Sequence, residues 1–305
     1  MNILVTGGFG FIGSNICKTL EDNGAKVWAL DNFYCADFRN LEGFKGEVVI
    51  ADILDEGFLK KLPSFDGVIH EAAITDTTLE DDSLMLRVNF EGFKNILSFC
   101  LRKNVKHFVY ASSAGVYGDG PSPMKEDQRL RPLNSYAYSK FLCDRFILAH
   151  KTGLSKKISI VGLRYFNVYG PGEQHKEKSS SMIYQLYLQM REGRRPRIFK
   201  YGQQKRDFVY VKDVVGATLN ALKFRGVNIV NVGTGRARSF NEIIRIINKV
   251  LKKNFKPQYF ENPYKGVYQD FTQADINKLL SVLKYQPRYS LERGIRDYIG
   301  NLSRS

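Results

Sequence analysis

The chain has 305 residues, 43% of them hydrophobic, with four cysteines and a formal net charge of +15. That length suffices for one large or two closely associated domains with a substantial core. No run of about eighteen apolar residues occurs, and the N-terminus is a glycine-rich strand and turn without a basic leader, which argues against a membrane span or signal peptide and for the cytoplasm. The basic residues are spread along the chain without a compact Lys/Arg block. The charge therefore reads as a field for polyanionic small ligands or as solvated surface, not as a nucleic-acid site.

Asn2-Ile3-Leu4-Val5 is a short apolar run that reads as a buried strand, and Phe11 to Leu20 carries helical apolar spacing ending at Asn23-Gly24. Between them lies Thr6-Gly7-Gly8-Phe9-Gly10-Phe11-Ile12-Gly13. In this strand-turn-helix context Gly7, Gly10 and Gly13 allow a tight turn, close approach of backbone N–H groups to a pyrophosphate, and close packing of helix on strand. A second strand, Lys26 to Leu30, ends at Asp31, where an acidic residue would meet the adenosine ribose of a dinucleotide. A carboxylate there favours NAD, because it repels a 2′-phosphate. Asn32 and Arg39 work the other way, since a guanidinium can hold that phosphate.

Strand-like runs recur at Glu47 to Ile50, Gly67 to His70, His107 to Ala111 and Ile158 to Leu163, with helical segments between them. This alternation predicts an α/β fold, a Rossmann-type doubly wound parallel sheet with the cofactor along the carboxyl ends of its strands. Asp52-Ile53 and Glu71-Ala72-Ala73-Ile74-Thr75 then fall where adenine and ribose would pass. His70-Glu71-Ala72-Ala73-Ile74 begins like a zinc-protease motif, but Ile74 stands where the second histidine must be, and no metal is predicted. Cys17, Cys35, Cys100 and Cys143 lack paired spacing and read as reduced thiols.

Tyr136-Ala137-Tyr138-Ser139-Lys140 lies in a helical stretch from Ser135 to His150, so Tyr136 and Lys140 project from one face. A free phenol has a pKa of about 10, and using it as a base near neutral pH requires roughly 4 kcal/mol of anion stabilisation. A nearby ammonium and a cationic nicotinamide are suitable sources. Ser113, after the strand His107 to Ala111, adds a hydroxyl donor for a substrate oxygen. From Gly170 onward glycine, proline and basic loops alternate with shorter elements. The expected division is a dinucleotide-binding domain at 1–167 and a smaller mixed α/β substrate domain at 168–305, with Phe208 to Val211 and Asn228 to Val232, within 208–235, returning to the large sheet.

These motifs together resemble the extended short-chain dehydrogenase/reductases that act on nucleotide sugars. Arg164-Tyr165-Phe166-Asn167-Val168-Tyr169-Gly170-Pro171, His175-Lys176, Lys205 to Val211, Asn231 to Ala237 and Tyr268 to Asp275 resemble its heptose 6-epimerase branch along nearly the whole chain. The resemblance implies an ADP-linked heptose as substrate, NADP as cofactor with NAD as the alternative, and a homo-oligomer. Epimerisation of an unactivated carbon needs transient oxidation, with hydride returned to the opposite face of a ketone. The resemblance assigns Tyr136 and Lys176 as bases on the two faces, with Lys178 the alternative to Lys176 after an apparent insertion at 177–180. Lys140 would bind the nicotinamide ribose. By the same matching Asn89, Val168 and Lys176 face the cofactor, and Ser113, Asn167, Ser181, Gln185, Phe199, Lys200, Tyr201, Gly202, Arg206 and Tyr268 face the substrate. Of these Arg206 has the clearest chemistry, a bidentate grip on a diphosphate. A dehydratase of the same fold would carry an acid pair beside Ser113, where this chain has Ala114-Gly115. A non-catalytic dinucleotide sensor is disfavoured by the intact Ser113, Tyr136 and Lys140.

Overall fold

Seven parallel strands form the central sheet: β1 (Asn2–Thr6), β2 (Lys26–Asp31), β3 (Glu47–Ile50), β4 (Gly67–His70), β5 (His107–Ser113), β6 (Ser159–Tyr165) and β10 (Val227–Val232). Their order is β10-β6-β5-β4-β1-β2-β3. This computed structural model describes residues 1–77, 79–261 and 270–303, apart from the side chains of Glu177, Lys178 and Lys200. Strands buried on both faces read as continuous apolar runs, and alternate residues feed two separate cores. Ile3 and Val5 belong to one core with Ile16 and Leu20 of the helix Phe11–Asp22. Leu4 belongs to the other with Phe93, Ile96 and Leu97 of the helix Gly92–Arg102.

The strand order reverses between β1 and β4, and at such a switch point a crevice opens above the carboxyl ends of the strands. The loops after β1, β2, β3 and β4 and the ends of β5 and β6 all reach it. The expected parallel doubly wound sheet is therefore present, and Val227–Val232 returns to it beside β6.

Phe208 to Val211 does not return. Its strand β9 (Lys205–Tyr210) lies between β7 (Asn167–Tyr169) and β11 (Ala237–Ser239) in a separate three-stranded sheet. The chain leaves the large sheet at Phe166, and β7 offers a fresh edge that β9 takes in parallel register, Asn167 opposite Phe208. A two-stranded ladder of β8 (Arg197–Phe199) and β12 (Gln258–Phe260) completes the second lobe. Among the described residues no helix is long and apolar enough to cross a membrane. The four cysteines are free thiols, and only Cys35 is exposed.

Candidate active site

The glycine loop is shaped by contact as much as by turn geometry. Gly7 has φ +68°, and a Cβ there would sit 2.6 Å from the Ala72 backbone nitrogen. At Gly13 a Cβ would collide with the Gly7 carbonyl oxygen, so the helix can start this close to β1 only without a side chain. Gly10 N donates to Gly7 O at 3.0 Å. The helix Phe11–Asp22 begins at Gly10 with no side-chain cap and no acidic residue in its first turn. Its first N–H groups lack an intrahelical partner, and the helix dipole favours an anion there. Gly7, Gly10, Phe11, Ile12 and Gly13 all line the cleft.

Asp31 closes β2 as a buried carboxylate. Its oxygens accept from Phe9 N at 3.1 Å and Phe33 N at 2.9 Å. Burial pushes its pKa up, and those N–H donors pull it back down. Asn32 beside it donates from Nδ2 to Asp52 Oδ2 at 3.1 Å. Arg39 does not line the cleft. Its exposed guanidinium is gripped by Asp37, Nε lying 2.9 Å from both carboxylate oxygens.

Asp52, Ile53 and the segment Glu71-Ala72-Ala73-Ile74-Thr75 line the cleft as expected. Asn89 does not; it sits buried behind that segment. Its Oδ1 accepts from Ile74 N at 2.8 Å, while Nδ2 donates to Ile74 O at 2.9 Å and Ser139 Oγ at 3.0 Å. Asn89 thus pins the cofactor-side loop to the helix that carries Lys140. Glu71 Oε1 and the Tyr165 hydroxyl are hydrogen-bonded at 2.8 Å, and burial pushes the Glu71 carboxyl up to about 7.

Ser113 ends β5, and its hydroxyl accepts from Gly115 N at 3.1 Å, which starts the short turn Ala114–Tyr117. Tyr136 and Lys140 come from the helix Ser135–Ala149, capped by Asn134, whose Oδ1 accepts from Ala137 N at 2.8 Å. One turn apart on that helix, the Lys140 ammonium lies 5.9 Å from the centre of the Tyr136 ring. Lys140 is buried, and all three residues line the cleft.

The second lobe supplies the opposite wall. Asn167, Val168, Lys176, Ser181 and Arg206 line the cleft. Lys176 sits in the turn Gln174–Ser179, where burial pushes its pKa down against the pull of Glu173. Glu173 was not legible in the sequence, since an acid after Gly170-Pro171-Gly172 reads as plain loop. It is buried, accepting from Gly170 N at 3.1 Å and Ser181 Oγ at 2.9 Å, and so holds both ends of the turn that carries Lys176. Asp207 does not pair with Arg206. It takes Thr234 N at 2.8 Å, Gly235 N at 2.9 Å and Ala274 N at 3.1 Å, while Arg206 is buried at the cleft wall.

Gln185, Phe199, Tyr201 and Gly202 do not line the cleft. Gln185 turns back to Ser180 O at 2.9 Å. Phe199 packs edge-on against Phe260 at 5.6 Å, and Tyr201, 71% exposed, faces Tyr259 at 5.5 Å. Tyr268 and the side chains of Lys178 and Lys200 lie outside the described residues.

The cleft has a volume of about 960 Å³, and its cradle and catalytic-type residues define a dinucleotide-dependent enzyme of the extended short-chain type. Residues 3–233 match the sequence model of the NAD dependent epimerase/dehydratase family, and the chain belongs to that family. It is 39% identical to an ADP-L-glycero-D-manno-heptose-6-epimerase of Brachyspira hyodysenteriae, over 99% of this chain and 98% of the relative. The crystal structure of the ADP-L-glycero-D-manno-heptose-6-epimerase of Helicobacter pylori superposes with a TM-score of 0.92 at 41% identity, covering 99% of this chain and 96% of that one. The UDP-glucose 4-epimerase of Thermotoga maritima superposes with a TM-score of 0.93 at 28% identity, covering 100% and 99%.

Proposed function

We propose that this chain epimerises a nucleotide-diphosphate heptose at carbon 6, converting ADP-D-glycero-D-manno-heptose to its L-glycero form. The observation that carries this reading is that Tyr136 of the sheet lobe and Lys176 of the second lobe line one cleft. The two relatives that bear this activity in their names, at 39% and 41% identity, support the substrate.

The residues fit a nicotinamide dinucleotide: a glycine cradle that any Cβ at Gly7 or Gly13 would fill, an uncapped helix start, and Asp31 at the end of β2. When bound, that group supplies the hydride acceptor and donor. Tyr136 then takes the hydroxyl proton of one epimer, with Ser113 donating to the same oxygen and the Lys140 ammonium stabilising the phenolate. Lys176 serves the other epimer from the second lobe, and burial lowers its pKa, easing loss of the proton that it must shed to act as a base. Arg206 grips the diphosphate.

NADP is the proposed form of the cofactor. The Asp31 oxygens already accept two backbone N–H groups, and Arg39 carries an exposed guanidinium for which a 2′-phosphate would compete with Asp37. Incubation with ADP- and GDP-linked D-glycero-D-manno-heptose, with configuration at carbon 6 read by NMR, tests the activity. The mass of the nucleotide released on denaturation tests the cofactor, and mainly NAD would refute NADP.

A further inference from the structure

From the cleft wall at Glu71 a chain of oxygens runs inward to the buried Tyr165 and Thr218. Glu71 Oε1 lies 2.8 Å from Tyr165 Oη, Tyr165 Oη lies 3.0 Å from Thr218 Oγ1, and Thr218 Oγ1 lies 2.9 Å from Val214 O. The chain joins the end of β4 to the end of β6 and to the helix Val211–Ala221. Each of its three contacts is at hydrogen-bond distance, so each needs one proton between its oxygens. Tyr165 and Thr218 bring one hydroxyl proton apiece, and the Val214 carbonyl brings none. Two protons cannot serve three contacts. With Glu71 ionised, one pair of oxygens would face each other lone pair to lone pair in a buried site, which is costly. A proton on Glu71 completes the chain: Glu71 donates to Tyr165, Tyr165 to Thr218, and Thr218 to Val214 O.

We propose that Glu71 is a neutral carboxylic acid donating into the Tyr165 and Thr218 chain, and that its ionisation is a switch on the Tyr136 and Lys140 pair. The first part rests on the oxygen geometry alone; the second rests also on the roles proposed above for Tyr136 and Lys140. Burial supports the first part by pushing Glu71 from its ordinary 4.5 up to about 7, against the opposing pull of a Tyr165 hydroxyl donating to the carboxylate and, more weakly, of Lys140. The titratable groups that face this chain are Lys140 and Tyr136 from the helix Ser135–Ala149, Tyr165 from β6, and the Cys17 thiol from the helix Phe11–Asp22. Cys17 is pushed far up by burial and stays neutral. As an acid, Glu71 leaves the Lys140 charge undivided for the Tyr136 phenolate. As a carboxylate it competes for that charge, and the phenolate loses part of its stabilisation.

The test begins with infrared difference spectra of the purified protein against Glu71→Gln, a neutral variant that can still donate to Tyr165. A buried carboxylic acid band should be present in the wild type below pH 7, disappear as pH rises through about 7, and be absent from Glu71→Gln. Tyr165→Phe supplies the second arm. If Glu71 donates to the tyrosine oxygen, loss of that acceptor destabilises the acid and the band disappears at lower pH. A carboxylate accepting from Tyr165 would instead shift the band upward. A missing acid band below pH 7, or an upward shift in Tyr165→Phe, overturns the assignment. The switch itself is read from kcat/KM against pH: an alkaline decline near pH 7 in the wild type should be missing from Glu71→Gln, and coincident profiles overturn it. The infrared arms need no substrate, so failure of the heptose reading leaves them interpretable.

Discussion

Asn40 Nδ2 lies 3.0 Å from His175 Nδ1 and also donates to Phe9 O at 3.0 Å. One side-chain amide therefore joins the glycine loop to the turn that carries Lys176. Burial and the adjacent Lys176 ammonium push the His175 pKa down, so its ring stays neutral and Nδ1 can accept. Asn40→Ala should loosen that turn and remove one contact to the glycine loop at Phe9 O, leaving the cradle glycines themselves in place. Epimerisation should fall by ~10-fold, the order expected from two lost part-buried hydrogen bonds and imperfect positioning, while the purified protein still carries its nucleotide. Unchanged kcat/KM would show that the bridge does not position Lys176.

Tyr136→Phe should lower epimerisation by at least ~100-fold, the loss expected for a general acid or base, with nucleotide content retained. Lys140→Ala should weaken both, because its buried ammonium serves the phenol and the ribose. Near-normal turnover by Tyr136→Phe would end the proton-transfer assignment.

Lys176→Met separates a two-base enzyme from a one-tyrosine relative. With Tyr136 intact, one epimer should still be oxidised in a single turnover, seen as absorbance of reduced nicotinamide, and the other should not. Equal reduction by both epimers would refute the role of Lys176 and direct attention to Lys178.

Acid stability offers a check that is independent of catalysis. His70 is buried, with Nδ1 2.7 Å from Thr6 Oγ1, and burial lowers its pKa from 6.5 to about 3, helped by the Lys140 ammonium. Between those values the unfolded chain binds a proton that the folded chain refuses. Folding stability should therefore fall as pH drops from 6.5 towards 3, by up to roughly 5 kcal/mol. Glu71, raised from 4.5 to about 7, acts in the opposite sense, favouring the folded state at the lower pH values. Urea unfolding of wild type and His70→Gln across this range isolates the histidine contribution, and parallel curves would exclude it.

The sheet and the glycine loop were readable because strands buried on both faces are continuous apolar runs and the following helix is periodic; both signals are local. The partner of β9 was not readable, since a short strand carries nothing in its own residues that says which edge it will join. Arg39 was visible as a charge, but its capture by Asp37, two residues earlier, depends on how the turn Phe38–Leu41 folds. Asn89 was assigned to the cofactor by likeness, whereas its amide is spent on the Ile74 backbone and Ser139. Tyr136, Lys140 and Ser113 were legible because spacing on one helix and the end of one strand determine where those side chains emerge.

The return of β10 to the sheet makes residues 1–167 an unfinished object. β6 is covered along its length by Val227–Val232, from Ile160 opposite Val227 to Tyr165 opposite Val232. A fragment cut after Asn167 would expose that flank as an unpaired, largely apolar edge strand, ready to add strands from other chains. Expressed alone, it should aggregate rather than bind nucleotide, and recombining this lobe with a different second lobe would require carrying 211–232 along with the first.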